Sequence, residues 1–112
     1  MLAKKNRFHR RRFVQYVYRK GKSFRGEYIT LKVVRDQRHK DYRVGVVVSK
    51  KVDKSAVKRN RIRRRLYGLI KEYSLPNDAD IIITAYDNKL AETPAEDIKE
   101  RLEKLLTKAN LI

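Results

Sequence analysis

The chain has no cysteine and no tryptophan, only two prolines and four glycines. Without cysteine there is no disulfide framework and no thiolate metal site, which fits a reducing compartment. No stretch approaches the roughly 18 consecutive apolar residues of a membrane span. The start, Met1-Leu2-Ala3-Lys4-Lys5-Asn6-Arg7, has no apolar secretory core. The expectation is a cytoplasmic protein with no membrane partner. The glycines at 21, 26, 45 and 68 are scattered, so no Gly-rich phosphate loop is present. Histidine is limited to His9 and His39, both in basic segments without an evident catalytic partner. A protein nuclease needs a positioned acid and base, or carboxylates that hold metal ions. Asp36 and Asp41 flank a polar loop, and Asp78 and Asp80 flank a strand start, where turn and cap chemistry is the expectation. No catalytic side chain, no metal site and no small-molecule substrate is expected of this chain.

Acidic residues are the other shortage, and an uneven one. Residues 1–65 hold 24 Lys and Arg against 4 Asp and Glu, whereas residues 66–112 hold 6 against 9. Over 112 residues the net charge is +17. Charge gathered in this way is the footprint of a polyanion binder, and solubility alone does not ask for it. The length fits one domain over 1–112, and the charge makes it a polyanion-binding one.

The hydrophobic pattern gives the order helix, strand, strand, helix, strand, helix. Residues 7–20 are expected to be helical, with Phe13 and Val17, and Val14 and Tyr18, four apart. Gly21 is the expected stop. Residues 27–34 alternate, with Ile29, Leu31 and Val33 on one face and Tyr28, Thr30 and Lys32 on the other. Residues 43–49 form a β-branched strand, and its short connection to 27–34 suggests an antiparallel pair. A helix over about 55–73 follows, with Ile62, Leu66, Leu69, Ile70 and Tyr73 in one stripe. Residues 80–86 look like a buried strand. Thr93-Pro94-Ala95-Glu96 reads as a capping box opening the last helix, which gathers Ile98, Leu102, Leu105, Leu106 and Ala109 on one face. The fold class expected is α/β (α+β): a two-layer sandwich with a small mixed sheet, helices, and room for an extra short strand.

Residues 57–66, Val-Lys-Arg-Asn-Arg-Ile-Arg-Arg-Arg-Leu, are the most informative stretch. Six cations crowd around one Ile, and they repel one another unless an anion is shared. Asn60, Arg61, Arg63, Arg64 and Arg65 fall outside the apolar stripe. Arg59 falls inside its arc, so its head is expected in a cleft beyond the sheet edge, because an unpaired buried guanidinium is very costly. Arginine suits phosphate because its planar fork donates two parallel hydrogen bonds and stays charged.

Val-Gly-Val-Val-Val-Ser-Lys-Lys (44–51), then Lys-Arg-Asn-Arg-Ile-Arg-Arg (58–64), resembles the signature of the protein subunit of bacterial ribonuclease P. Lys5-Asn6-Arg7-Phe8, then Phe13, Tyr18 and Gly21, resemble that family's N-terminal pattern, and the 80–85 strand with its following helix does too. The resemblance implies a left-handed βαβ crossover through the basic helix. It implies that the chain binds a catalytic RNA subunit and the single-stranded 5′ leader of precursor tRNA, and that the complex removes the leader by endonucleolytic hydrolysis. Catalysis and its Mg2+ ions would then sit mainly on the RNA. The RNA-subunit face would be Lys50, Lys51, Lys54, Lys58, Arg59, Asn60, Arg61, Arg63, Arg64 and Arg65. The leader cleft would draw on Phe13, Val14, Tyr18, Tyr28, Lys32 and Arg59. The family has two aromatics four apart on the first helix. Counting back from Gly21, the first falls on Val14 with Phe13 beside it, so either could face the cleft. Two other readings share the charge: a ribosomal-type RNA-binding protein or RNA chaperone without a substrate cleft, and a DNA-binding regulator.

Overall fold

The computed structural model describes residues 6–8, 10–36 and 41–112. Lys5, His9 and His39 lie outside the described residues. The elements are α1 (Arg11–Lys20), β1 (Lys22–Arg25), β2 (Ile29–Arg35), β3 (Arg43–Val48), α2 (Ala56–Ile70), β4 (Ala79–Ala85), a short 3-10 turn (Asn88–Ala91) and α3 (Ala95–Lys108). The expected mixed α/β class and element order hold, and β1 is the extra short strand.

The four strands lie in the order β1-β2-β4-β3. β2 runs antiparallel to β4, and β3 runs parallel to it. The expected antiparallel pairing of 27–34 with 43–49 is therefore wrong. β4 lies between them because it is apolar on both faces: Ile81, Ile82 and Ile83 are each fully buried. Such a strand belongs at the centre of a sheet. The helical crossover through α2 is what lets β3 and β4 run parallel.

Side-chain alternation along β4 divides the core in two. Ile81 and Ile83 join Ile29, Leu31, Val44, Val46 and the apolar stripes of α2 and α3 on one face. Ile82 points the other way, to Phe13 and Val17 of α1. Burying each such side chain contributes about 1.5–3 kcal/mol relative to exposing it. Two helices cover one face and α1 alone covers part of the other. The uncovered part becomes the floor of the groove described below.

Three local expectations change. The first helix begins at Arg11, not near 7, because Arg7 bridges to Val44 and the Phe8 N–H donates to Val44 O at 2.8 Å. Gly21 does end α1, but in extended conformation (φ −79°). Its lack of a side chain matters for a different reason: a Cβ there would sit 2.4 Å from Val17 O. The capping box does not form. Pro94 is the N-cap of α3, and the Thr93 hydroxyl instead donates to Lys89 O at 2.7 Å.

Candidate nucleic-acid interface

The basic helix α2 is fixed at its start by its own loop. Ser55 Oγ accepts from the Lys58 N–H, and Asp53 Oδ1 accepts from the Ser55 N–H at 2.8 Å. The Ser55 N–H bond is the main cause that holds the Asp53 carboxyl below its ordinary range, with Asn88, Lys58 and Arg59 adding to it. Ile62, Leu66 and Ile70 bury the apolar stripe. Tyr67, which the sequence stripe omitted, is buried too, and its hydroxyl accepts from the Val46 N–H at 3.1 Å. Burial raises the Tyr67 pKa, so the hydroxyl stays protonated.

The cations of this helix have different partners. Arg61 and Arg64 are exposed, and among the described residues neither has a hydrogen bond or an ion pair. Lys50, Lys51 and Lys54 are exposed on the loop before the helix. Lys58 lies 3.9 Å from Asp53. Arg63 donates to Asn60 Oδ1 (2.8 Å) and to Val48 O (3.1 Å). That leaves the Asn60 amide nitrogen as the group offered outward.

Arg59 and Arg65 depart from expectation. Arg59 Nη1 donates to Asp53 O and Lys54 O, both at 2.9 Å. Its head holds the loop rather than lining a cleft, because those carbonyls lie within reach and need donors. Arg65 donates to Leu90 O at 2.7 Å and to Thr93 O. Burial, with Arg61 nearby, lowers its pKa, and the guanidinium stays charged throughout. Arg65 therefore ties α2 to the turn before α3. Arg65→Ala should lower unfolding stability by about 1–3 kcal/mol, since two carbonyls lose a charged donor. A urea midpoint equal to wild type would contradict this.

A groove of about 1110 Å³ runs between α1 and α2 along the outer edge of β3. α1 contributes Arg11, Val14, Gln15 and Tyr18; α2 contributes Val57, Asn60, Arg63, Arg64 and Tyr67; Val46, Val47 and Val48 form the strand wall. Val14 thus lines the groove, while Phe13 is 5% exposed and packs in the core. Helical geometry requires this split, since neighbouring residues lie about 100° apart on the wheel. Beyond Tyr18 the floor continues over Thr30, Lys32 and Thr84. Tyr18 is 38% exposed, and its hydroxyl pairs with Thr84 Oγ1 at 2.8 Å. Lys32 Nζ donates to Tyr18 O at 2.8 Å and lies 5.4 Å from the ring centroid.

Tyr28 does not join this floor. Its φ is +69°, so the alternation of β2 does not extend to it. Its ring packs on the opposite core, 4.6 Å from the Arg101 guanidinium. Arg7, Arg11, Gln15, Val57 and Tyr67 were not anticipated in the groove. Val57 carried a usable signal: an apolar residue off the stripe, 75% exposed among cations.

Among the described residues no three His, Cys, Asp or Glu side chains gather to hold a metal ion. No described helix is long and apolar enough to cross a membrane. A mixed sheet with one half-covered face, an aromatic and valine-lined groove, and an arginine-rich helix along its rim define a small basic α/β protein. The comparisons with known proteins are narrower. Residues 2–110 match the family model described as Ribonuclease P. A ribonuclease P protein component from Pseudanabaena sp. is 36% identical over 115 residues, covering 100% of this chain and 97% of that one. Another, from Clostridium botulinum, is 36% identical over 114 residues, covering 96% and 97%. The solved RNase P protein of Staphylococcus aureus superposes with a TM-score of 0.81 at 27% identity, covering 95% of this chain and 96% of that one. The RNase P protein of Thermotoga maritima gives 0.78 at 22% identity over 91% and 96%, a likeness of fold. The chain belongs to the ribonuclease P protein component family.

Proposed function

We propose that this chain is the protein half of a ribonuclease P holoenzyme. Its exposed cations on α2 and the preceding loop dock on a catalytic RNA subunit, and its groove holds the 5′ leader of precursor tRNA as a single strand. Membership of the family supports a role in tRNA processing by an endonuclease. The observation that carries the finer reading is the groove itself. One rim offers the Asn60 amide to the strand, and the floor offers the Tyr18 ring to a base. A stacked base contributes about 1–3 kcal/mol, without regard to sequence. A general RNA chaperone has no need of such a floor.

The Mg2+ ions of the reaction we assign to the RNA. On this reading the protein's part is binding and orientation: α1 and the sheet extend the leader, and the cations offset its charge.

Two measurements test the reading. Tyr18→Ala should weaken precursor tRNA binding to reconstituted holoenzyme by about 1–3 kcal/mol. Mature tRNA has no leader, so its affinity should barely change. Tyr18→Phe keeps the ring and should bind nearly as wild type. Equal losses for both tRNAs would remove the cleft. Separately, His9→Ala with His39→Ala should leave the single-turnover cleavage step unchanged. A loss of about a hundredfold, the scale of general acid–base catalysis, would point to a protein active site instead.

A further inference from the structure

The segment ahead of α1 is held by an arrangement that the leader groove does not require for its own walls. Arg43 forms a two-pronged ion pair with Asp80, Nε to Oδ1 at 2.9 Å and Nη2 to Oδ2 at 2.8 Å. Asp80 is fully buried. The Arg43 guanidinium lies 4.9 Å from the ring centroids of both Phe8 and Phe13. The two rings meet edge to face at 4.8 Å. Phe8 is thus docked on a buried charge pair by its ring, and on β3 by its backbone N–H to Val44 O. Asn6, 6% exposed, adds a bond from Nδ2 to Tyr42 O at 2.8 Å. Gly45 lets the segment lie this close, since a Cβ there would sit 2.3 Å from Phe8 O.

Arg7 stands between these two anchors. It bridges to Val44 through its backbone and lines the groove with Asn60, Arg64 and Tyr67. Neighbouring residues of an extended segment project to opposite sides. Anchoring residues 6 and 8 against the sheet therefore sends residue 7 into the groove.

We infer that residues 6–8 form a positioning strap: Asn6 and Phe8, docked through Arg43 and Asp80, deliver Arg7 as a phosphate-binding side chain to the wall of the groove. The inference rests on the proposed leader-binding role of the groove. Its ligand is a phosphodiester of the strand lying there. Arg7 is the contact; Asn6, Phe8 and Arg43 are positioning residues that act through it. The arrangement lowers the entropy cost of binding, because the strand meets a cation already in place.

The test is a salt series of precursor tRNA affinity with reconstituted holoenzyme. Arg7→Ala should weaken binding about tenfold, the scale of one charge-assisted hydrogen bond. It should also flatten the slope of log affinity against log salt by about 0.7, the value for one single-strand phosphate. Asn6→Ala and Phe8→Ala carry no charge change, yet each should flatten the slope in the same direction. Combining either with Arg7→Ala should add no further loss, since the contact is already gone. Should Phe8→Ala fail to fold, Asn6→Ala carries the test alone, because it cuts one hydrogen bond and leaves both cores intact. A wild-type slope in Asn6→Ala, or losses that multiply in the double variants, overturns the strap. Mature tRNA serves as the control for the underlying reading. Wild-type holoenzyme that binds both tRNAs equally removes groove and strap together. Leader selectivity retained with a wild-type slope in Asn6→Ala removes the strap alone.

Discussion

Asp80→Ala should destabilise the fold by about 3 kcal/mol, the low end of the cost of breaking a buried ion pair, since Asp80 is fully buried but the Arg43 side chain is 22% exposed. That is a large share of the 5–15 kcal/mol that holds an ordinary domain together. Arg43 would keep its place between Phe8 and Phe13 but lose both carboxylate oxygens. Its neighbour on the same strand approach is the comparison. Asp78 pairs with Arg35 at 2.8 Å, yet the Arg35 side chain is 46% exposed. Asp78→Ala should therefore cost no more than about 1 kcal/mol. The Arg35 hydrogen bond holds the Asp78 carboxyl below its ordinary value of 3.8. Its contribution is thus present above 3.8 and is lost as pH falls through the lower, folded-state value. Urea midpoints of the two variants at neutral pH check the contrast. Equal small shifts would show that the Arg43–Asp80 pair contributes little. Replacing both partners, Arg43→Leu with Asp80→Leu, should restore part of the loss, because apolar side chains then take the place of the pair.

This ion pair was invisible as such in the sequence, where Asp80 read as turn chemistry at a strand start. An acid beside an Ile-Ile-Ile run is itself a signal that a cation must come to it, but which cation depends on strand order. Strand order was not legible either. It is set by contacts far apart in sequence, and the short 35–43 connection argued locally for the wrong neighbour. What was legible had a local cause. The stripe Ile62, Leu66, Ile70 follows from the 3.6-residue period, as does the buried face of α3. The alternation Ile29, Leu31, Val33 follows from the pleat. Each local rule failed where a tertiary contact outweighed it. Tyr28 left the alternation through a positive φ. The Thr93 hydroxyl found Lys89 O in the preceding turn before it could cap α3. The groove was half legible: Tyr18 and Lys32 lie on its floor, Val14 of the two open candidates lines it while Phe13 packs in the core, and α1 begins late enough to leave Arg7 on the sheet edge.

The same distinction between a side chain and its tertiary partner divides the arginines of α2 between the fold and the proposed RNA contact. Off-stripe position alone does not separate Arg61, Arg64 and Arg65, yet Arg65 is committed to Leu90 O and Thr93 O. Arg61→Ala with Arg64→Ala should weaken binding of the RNA subunit on the order of a hundredfold, about the sum of two charge-assisted contacts. The slope of log affinity against log salt should flatten by about 1.4–1.8. The thermal midpoint should stay near wild type, since no described residue bonds to either side chain, and relief of like-charge repulsion along the helix works in the same direction. Arg65→Ala should do the reverse, lowering stability while leaving the salt slope near wild type. The crossed pattern matters more than either number. A general loss of basic charge would flatten the slope for all three positions alike. A structural role for the whole helix would lower stability for all three. Only a helix whose arginines are divided between the fold and a polyanion gives one effect at 61 and 64 and the other at 65. An Arg65→Ala variant that loses about 0.7–0.9 of salt slope, with its fold intact, would place that side chain on the RNA face and undo the division.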